Sequence, residues 1–153
     1  MSDTEAMKTH RMVDRAKELA TSAHQGQVDK AGNSYIDHPA RVAAVLVDDE
    51  AIASAWLHDV VEDTNVTLDQ LAEQFPPNVV DAVDALTKRA DESRAQYYER
   101  VRTNPIALTV KLADINDNSD PERLSRLDQP TRERLEAKYA WAIESLTAKT
   151  RHH

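Results

Sequence analysis

Cysteine is missing altogether from the 153 residues, which excludes disulfides and thiolate metal sites. Glycine occurs twice and phenylalanine once, and aromatic residues make up 5% of the chain. So little glycine disfavours a turn-rich β architecture and favours helices. Basic residues are the minority sign: 19 Lys and Arg stand against 27 Asp and Glu, for a formal net charge of -8. A protein held to DNA or RNA by phosphate contacts needs a basic stripe, so that class is not expected. No apolar run approaches the length of a membrane span, and Met1-Ser2-Asp3-Thr4-Glu5 carries neither a basic nor an apolar leader segment. A soluble, cytoplasmic protein without a membrane partner is the expectation.

What remains reads as one all-α domain. The length suits a single core; residues 1–151 are read as that domain, and His152 and His153 as a tag remnant. The periods predict about seven or eight helices. From Thr4 to His24, Met7, Met12, Val13, Ala16, Leu19, Ala20 and Ala23 make one apolar stripe, with His10 off it and His24 at its end, both read as structural or solvated. Gln25 to Asp37 holds both glycines and reads as a long loop, in which Gln27, Lys30 and Tyr35 are candidates for ligand contact. Pro39 suits the first turn of the next helix, with His38 at its entrance. Asp48-Asp49-Glu50 looks like a metal cluster, but acidic residues at a helix start answer its dipole. Thr67 with Gln70 predicts a capping box, and Pro76-Pro77 stops that helix at Phe75. A further helix carries Val79 to Leu86. Ala90 to Asn104 is the most polar part, a short helix or flap where Arg94, Tyr97, Tyr98, Arg100 and Arg102 gather basic residues with aromatics. Its bland reading is a solvated face. The final amphipathic helix from Pro130 to Lys149 turns Leu135, Tyr139, Ala142, Ile143 and Leu146 to the bundle.

Two apolar stretches contain ionisable groups. Ala51 to Leu57 is apolar almost all round, and His58, Asp59, Glu62 and Asp63 then fall within two turns. Helical spacing sets His58 beside Glu62, Asp59 beside Glu62 and Asp59 beside Asp63. Three carboxylates so close raise one another's pKa values unless a cation neutralises them, and a metal is the simplest such cation. Ile106 to Ala113 is the second stretch, with Asp114 at its end. His38, His58, Asp59 and Asp114 together are a nitrogen and oxygen ligand set that suits Mn²⁺, Fe²⁺ or Zn²⁺ rather than Ca²⁺. Taken singly, His38 reads rather as a capped or core histidine and Asp114 as half of a buried ion pair, and spacing alone does not bring the three segments together.

The ordered series His38, His58-Asp59 and Asp114 resembles the HD-domain metal-dependent phosphohydrolases, named for the adjacent His-Asp pair. Within them it is most similar to the small stand-alone alarmone hydrolases of the RelA/SpoT-homologue type. Ala23-His24-Gln25-Gly26-Gln27, Tyr35-Ile36-Asp37-His38-Pro39, Leu57 to Thr64, Thr87-Lys88, and Lys111 to Asp114 with Asn118 carry the likeness, from about Ala16 to Asn118. The resemblance implies a single HD-domain helical bundle in which His38, His58, Asp59 and Asp114 bind Mn²⁺. Glu62 and Asp63 match the catalytic acidic pair, while Lys30, Tyr35, Lys88, Arg102, Lys111 and Asn118 are the expected substrate contacts. The implied reaction removes the 3′-pyrophosphate of guanosine tetra- or pentaphosphate (ppGpp, pppGpp), giving GDP or GTP and pyrophosphate. A synthetase domain has no room in this length, so a hydrolase-only enzyme with a nucleotide as its partner is expected, and self-association stays open. Two positions depart from the family pattern. Asp29 stands beside Lys30 where an arginine helps hold the nucleotide, and Ile115-Asn116-Asp117 follow Asp114 in place of basic and histidine residues. The other readings are an HD phosphatase for another nucleotide, such as a nucleoside monophosphate or NADPH, and a non-enzymatic, metal-stabilised helical module.

Overall fold

The computed structural model describes residues 3–29 and 32–148, with side chains from Arg11 onward. The expectations placed on Lys30, His152 and His153 fall outside these residues, and those on the side chains of Met7 and His10 fall outside the described side chains. Along the chain come α1 (Asp3–Ala23), α2 (Asp37–Ala44), α3 (Asp49–Leu57), α4 (Val60–Asp63), α5 (Leu68–Ala72), α6 (Pro77–Leu86), α7 (Arg94–Arg102), α8 (Pro105–Asn118), α9 (Pro121–Leu124) and α10 (Gln129–Thr147). Two of these ten, α4 and α9, are four-residue turns, which leaves eight longer helices among the described residues against the seven or eight expected. The one β pairing among the described residues is an isolated antiparallel bridge between Val28 and Ser34.

The bundle is built around α3, which packs on α1, α2, α6 and α8. Its sequence explains how it can touch so many neighbours. Ala51, Ala53, Ser54 and Ala55 are buried, and side chains this short let helix backbones approach from several directions. The hydroxyl of Ser54 donates to the Glu50 carbonyl at 2.7 Å, so the polar atom in this apolar helix is satisfied locally. Asp49 and Glu50 occupy the first turn, the dipole role read from the sequence. On one side of α3, Ala53 and Leu57 join Ala16, Ala20, Val60, Leu71, Phe75, Val79 and Val83. On the other, Ala55 joins Val42, Ala82, Tyr97, Tyr98, Val101, Ala107, Val110 and Leu146.

Several local expectations hold in detail. Thr67 and Gln70 form the capping box, although the helix they cap ends at Ala72 and only turns reach Phe75. Others need correction. Residues 94–102 take the short-helix alternative, not the flap, and are more than a solvated face: Ser93 and Gln96 cap α7 with a second box, and Tyr97, Tyr98 and Val101 are buried while Arg94, Gln96 and Glu99 stay exposed. Three apolar side chains on one face of a polar helix were enough to dock it. The predicted stripe of α10 buries Ala142 and Leu146, but Ile143 lies at its edge and is exposed. Asp114, at the end of its apolar stretch, lies within α8 as a buried carboxylate, and the helix continues to Asn118.

The largest correction concerns the helix that the spacing predicts to run on through His58 to Asp63. It stops at Leu57 and restarts at Val60. The imidazole of His58 explains the stop: its Nδ1 lies 2.6 Å from the Ala55 carbonyl, and the His58 backbone N–H approaches the same oxygen at 3.5 Å. A ring donor and a tightened i to i+3 contact are drawn to that carbonyl as the helix ends there. Leu57→Ala, at a fully buried position just before this break, is expected to destabilise the fold by about 2–5 kcal/mol. Urea unfolding followed by circular dichroism measures it.

Candidate metal centre

Three elements meet at the break. His38 comes from α2, His58 from the end of α3 and Asp114 from the third turn of α8. One ligand atom from each of these three lies within 4.8 Å of the other two, with His58 3% and Asp114 5% exposed. His38 Nε2 is 2.7 Å from Asp114 Oδ1, and His58 Nε2 is 3.5 Å from the same oxygen. Asp59 stands beside them, its Oδ2 3.0 Å from His58 Nε2. The buried Nε2 of His58 faces Asp59 and Asp114 without good hydrogen-bond alignment to either, while Nδ1, 2.6 Å from the Ala55 carbonyl, holds the ring from behind. A buried imidazole nitrogen without a hydrogen bond, facing carboxylate oxygens, is what a divalent cation requires, and the donor set fits one.

The supporting contacts explain why these side chains point inward. The Tyr35 hydroxyl donates to Asp59 and lies 3.5 Å from Asp63 Oδ2. Lys111 Nζ donates to Asp114 Oδ2 at 3.0 Å, and Asn118 Nδ2 to Oδ1 at 3.2 Å. Asp114 carries both contacts on its own helix, from three residues before and four after, the spacings that share a face. Asp117, one turn on, approaches His38 Nδ1 at 2.6 Å.

Charge inside this cluster is strongly redistributed. Burial works against the ionised form of Asp114, but the contacts with His38 and His58 and the Lys111 ammonium outweigh it and hold the carboxyl well below its ordinary range. Burial likewise opposes ionisation of Asp59, while His58 and the Tyr35 hydroxyl bring it down to about 2. His58 is the counterpart: burial disfavours its imidazolium, yet Asp59 and Asp114 raise its pKa well above the usual value. A proton and a divalent cation are therefore alternatives at the His58 nitrogen that faces these two carboxylates. Glu62 and Asp63 shift the other way. Burial raises both, and the charges of Asp59 and, for Glu62, Asp63 add to it; the Lys88 N–H bond to Glu62 and, for Asp63, His24 offset part. Mutual raising of all three carboxylates was the expectation. It holds for Glu62 and Asp63 and fails for Asp59, because the buried imidazole is its nearest charge.

The remaining expected contacts divide. Glu62 Oε1 accepts the backbone N–H of Lys88 at 3.0 Å, so Lys88 reaches the site through its main chain. Its ammonium instead donates to the carbonyls of Arg89 and Glu92, at 3.1 and 2.8 Å. Arg102 is turned to Glu99 and the Ala148 carbonyl, tying α7 to the end of α10 rather than joining the cluster. Asp29 accepts the Asn33 N–H at 2.9 Å and so braces its own loop, which turns through Gly32 at φ 85°. His24, read as structural or solvated, is buried against the Tyr35 ring and bonds Gln27, whose amide donates to the Asp63 carbonyl at 3.2 Å. Within the motif His24-Gln25-Gly26-Gln27, His24 and Gln27 thus brace the backbone at Asp63, a role that their distance in sequence from Asp63 concealed.

The adjacent His58 and Asp59, joined in space by His38 and Asp114, agree with a comparison of the sequence with family models, in which residues 16–117 match the model described as HD domain. The chain belongs to the HD-domain family. Among its relatives, the guanosine-3′,5′-bis(diphosphate) 3′-pyrophosphohydrolase of Haemophilus influenzae is 36% identical over 115 residues, covering 65% of this chain and 17% of that protein. The probable GTP pyrophosphokinase of Mycobacterium leprae is 32% identical over 163 residues, covering 89% of this chain and 21% of that protein. The HD domain therefore spans only a small part of these relatives. A solved structure described as a metazoan orthologue of SpoT that hydrolyses ppGpp superposes with a TM-score of 0.75 over 90% of this chain and 86% of its own. At 22% identity it supports the fold.

The raised pKa of Glu62 in this HD domain has a measurable sign. A carboxyl whose folded pKa lies above its unfolded value favours folding while protonated; that stability is lost as pH climbs through the raised pKa. Metal-free Glu62→Gln is therefore expected to melt at a higher temperature than the parent at pH 7, with the difference vanishing below about pH 4. Calorimetry of both proteins at the two pH values checks it.

Proposed function

We propose that this HD domain is a divalent-metal-dependent phosphohydrolase that removes the 3′-pyrophosphate of ppGpp or pppGpp, giving GDP or GTP and pyrophosphate, with Mn²⁺ as the metal. The observation that carries the reading is the cluster of half-buried His38 with buried His58 and Asp114, and beside it two carboxyls of raised pKa, Glu62 and Asp63, one turn beyond Asp59. The name of the Haemophilus influenzae relative supplies the substrate. His38, His58, Asp59 and Asp114 hold the metal, and Tyr35, Lys111 and Asn118 keep Asp59 and Asp114 turned toward it. A divalent cation in that place supplies Lewis acidity toward water and phosphate oxygens.

Glu62 is the general base. The Lys88 N–H fixes one of its oxygens, and its raised pKa brings it nearer to operating pH, where proton transfer is most effective. It takes the proton of the water that attacks phosphorus as the bond to the 3′ oxygen breaks, and the leaving oxygen is protonated in turn. Asp63, hydrogen-bonded through its carbonyl by Gln27, orients that water. Two carboxyls held at raised pKa beside the ligands disfavour a purely structural module, which has no use for that cost in stability.

One set of contacts favours a second reading, an HD phosphatase for a less highly charged nucleotide. The ammonium of Lys88 and the guanidinium of Arg102 are both engaged in backbone or carboxylate contacts, and Asp29 adds a carboxylate to the first loop. Fewer cations then face a polyphosphate. A panel of ppGpp, pppGpp, NADPH and nucleoside monophosphates assayed with Mn²⁺ separates the readings: pyrophosphate release from ppGpp supports the first, and turnover only of the smaller nucleotides replaces it with the second. His58→Ala and Asp114→Ala are expected to lose both Mn²⁺ and activity. Glu62→Gln is expected to keep Mn²⁺ while kcat falls by about 10²–10⁴-fold; loss of metal in that variant contradicts the assignment of Glu62.

A further inference from the structure

His38 is gripped at both ring nitrogens by one helix. Asp114 lies 2.7 Å from Nε2 and Asp117 lies 2.6 Å from Nδ1, and the three-residue spacing puts both carboxylates on the same face of α8. The two are surrounded differently. Asp114 is buried among groups that a cation would join, whereas Asp117 faces two guanidiniums. Arg41 Nε donates to its Oδ1 at 2.8 Å and Nη2 to its Oδ2 at 3.2 Å. Arg123 adds longer contacts from Nη1 and Nη2 at 3.3 and 3.4 Å. A carboxylate between two arginines stays ionised and can only accept, and guanidinium groups offer His38 no acceptor. The atom of His38 that meets Asp117 must therefore be an N–H donor. Nε2 is left as the nitrogen whose lone pair can be offered to a cation, on the side of Asp114 and His58.

We propose that Asp117 is a positioning residue: clamped by Arg41 and Arg123, it holds His38 through Nδ1–H in the orientation that presents Nε2 to the divalent cation. This rests on the metal reading above and adds to it a residue from the very segment, Ile115-Asn116-Asp117, that departs from the family pattern. The simpler role for the same contacts is an ion pair tying α2, α8 and α9 together. The two roles differ in what they predict. A tie lowers stability and leaves metal affinity of the folded protein alone. A positioning carboxylate sets the affinity itself, because an imidazole free to rotate or change tautomer must be ordered when the metal binds.

The test is titration of the whole chain with Mn²⁺, read from the electron paramagnetic resonance signal of the free ion, together with proton NMR of the metal-free protein. Asp117→Ala is expected to raise the Mn²⁺ Kd by roughly ten- to a hundredfold. Asp117→Asn, which keeps the size and a weaker acceptor, is expected to raise it less, and it carries the test if Asp117→Ala does not fold. A low-field imidazole N–H signal, assigned by its absence in His38→Ala, is expected in the parent and lost or moved upfield in Asp117→Ala. Asp117→Asn combined with Arg41→Gln restores the local net charge, and its affinity is expected to stay low. Unchanged Kd in both single variants overturns the proposal, as does an unmoved low-field signal. Recovery in the double variant also overturns it, since Asp117 would then act by charge alone. A parent protein that takes up no Mn²⁺ overturns the metal reading instead, and the low-field signal still decides whether Asp117 holds His38.

Discussion

A carboxylate that is 5% exposed in the middle of a helical bundle is the constraint around which this chain is built. Asp114 comes from a helix whose other inward residues are apolar, Ala107, Val110, Ala113 and Ile115. Ionised groups in such surroundings persist only when they are paired and hydrogen-bonded. The protein meets the demand with Lys111 and Asn118 from the same helix and with imidazoles from two others. Each answer imposes a further one. His38 needs its second nitrogen occupied, which recruits Asp117, Arg41 and Arg123. His58 needs its ring fixed, which takes the Ala55 carbonyl and ends α3.

The break in the helix therefore links packing to chemistry. A continuous helix would carry His58 and Asp59 around its axis and leave them on neighbouring faces, about 100° apart. Stopping at Leu57 and restarting at Val60 brings His58 Nε2 and Asp59 Oδ2 to 3.0 Å while the following turn still presents Glu62 and Asp63. The short side chains of α3 have the complementary role. They let α1, α2, α6 and α8 all reach one helix, so that residues far apart in sequence arrive at its end. Arg100 shows the same economy at the rim: it donates to the carbonyls of Ala85 and Thr87 and pairs with Glu92, fixing the loop whose Lys88 N–H holds Glu62.

Much of this was legible in the sequence, and the reasons are physical. Apolar residues all round Ala51 to Leu57 announced a buried helix, and two glycines in 153 residues announced an all-α fold. The convergence of His38, His58 and Asp114 came from family resemblance, because spacing along the chain carries no information about which helices meet. What stayed hidden depended on tertiary contacts. The break at His58 arises from a side chain competing for a backbone carbonyl, a competition that periodicity does not register. The low pKa of Asp59 depends on an imidazole 3.0 Å away rather than on its acidic neighbours in sequence. Tyr97, Tyr98 and Val101 docked a helix whose average polarity suggested solvent. Lys88 and Arg102, expected at a nucleotide, found carbonyl and carboxylate partners of their own.

The central claim is that two imidazoles and Asp114 share one divalent cation. Crystals of the protein grown with Mn²⁺, with diffraction recorded on both sides of the manganese absorption edge, test it most directly. The account predicts one anomalous peak per chain, within about 2.0–2.3 Å of His38 Nε2, His58 Nε2 and a carboxylate oxygen of Asp114, as nitrogen and oxygen ligands of such ions require. A peak elsewhere, or none between these three side chains, contradicts it.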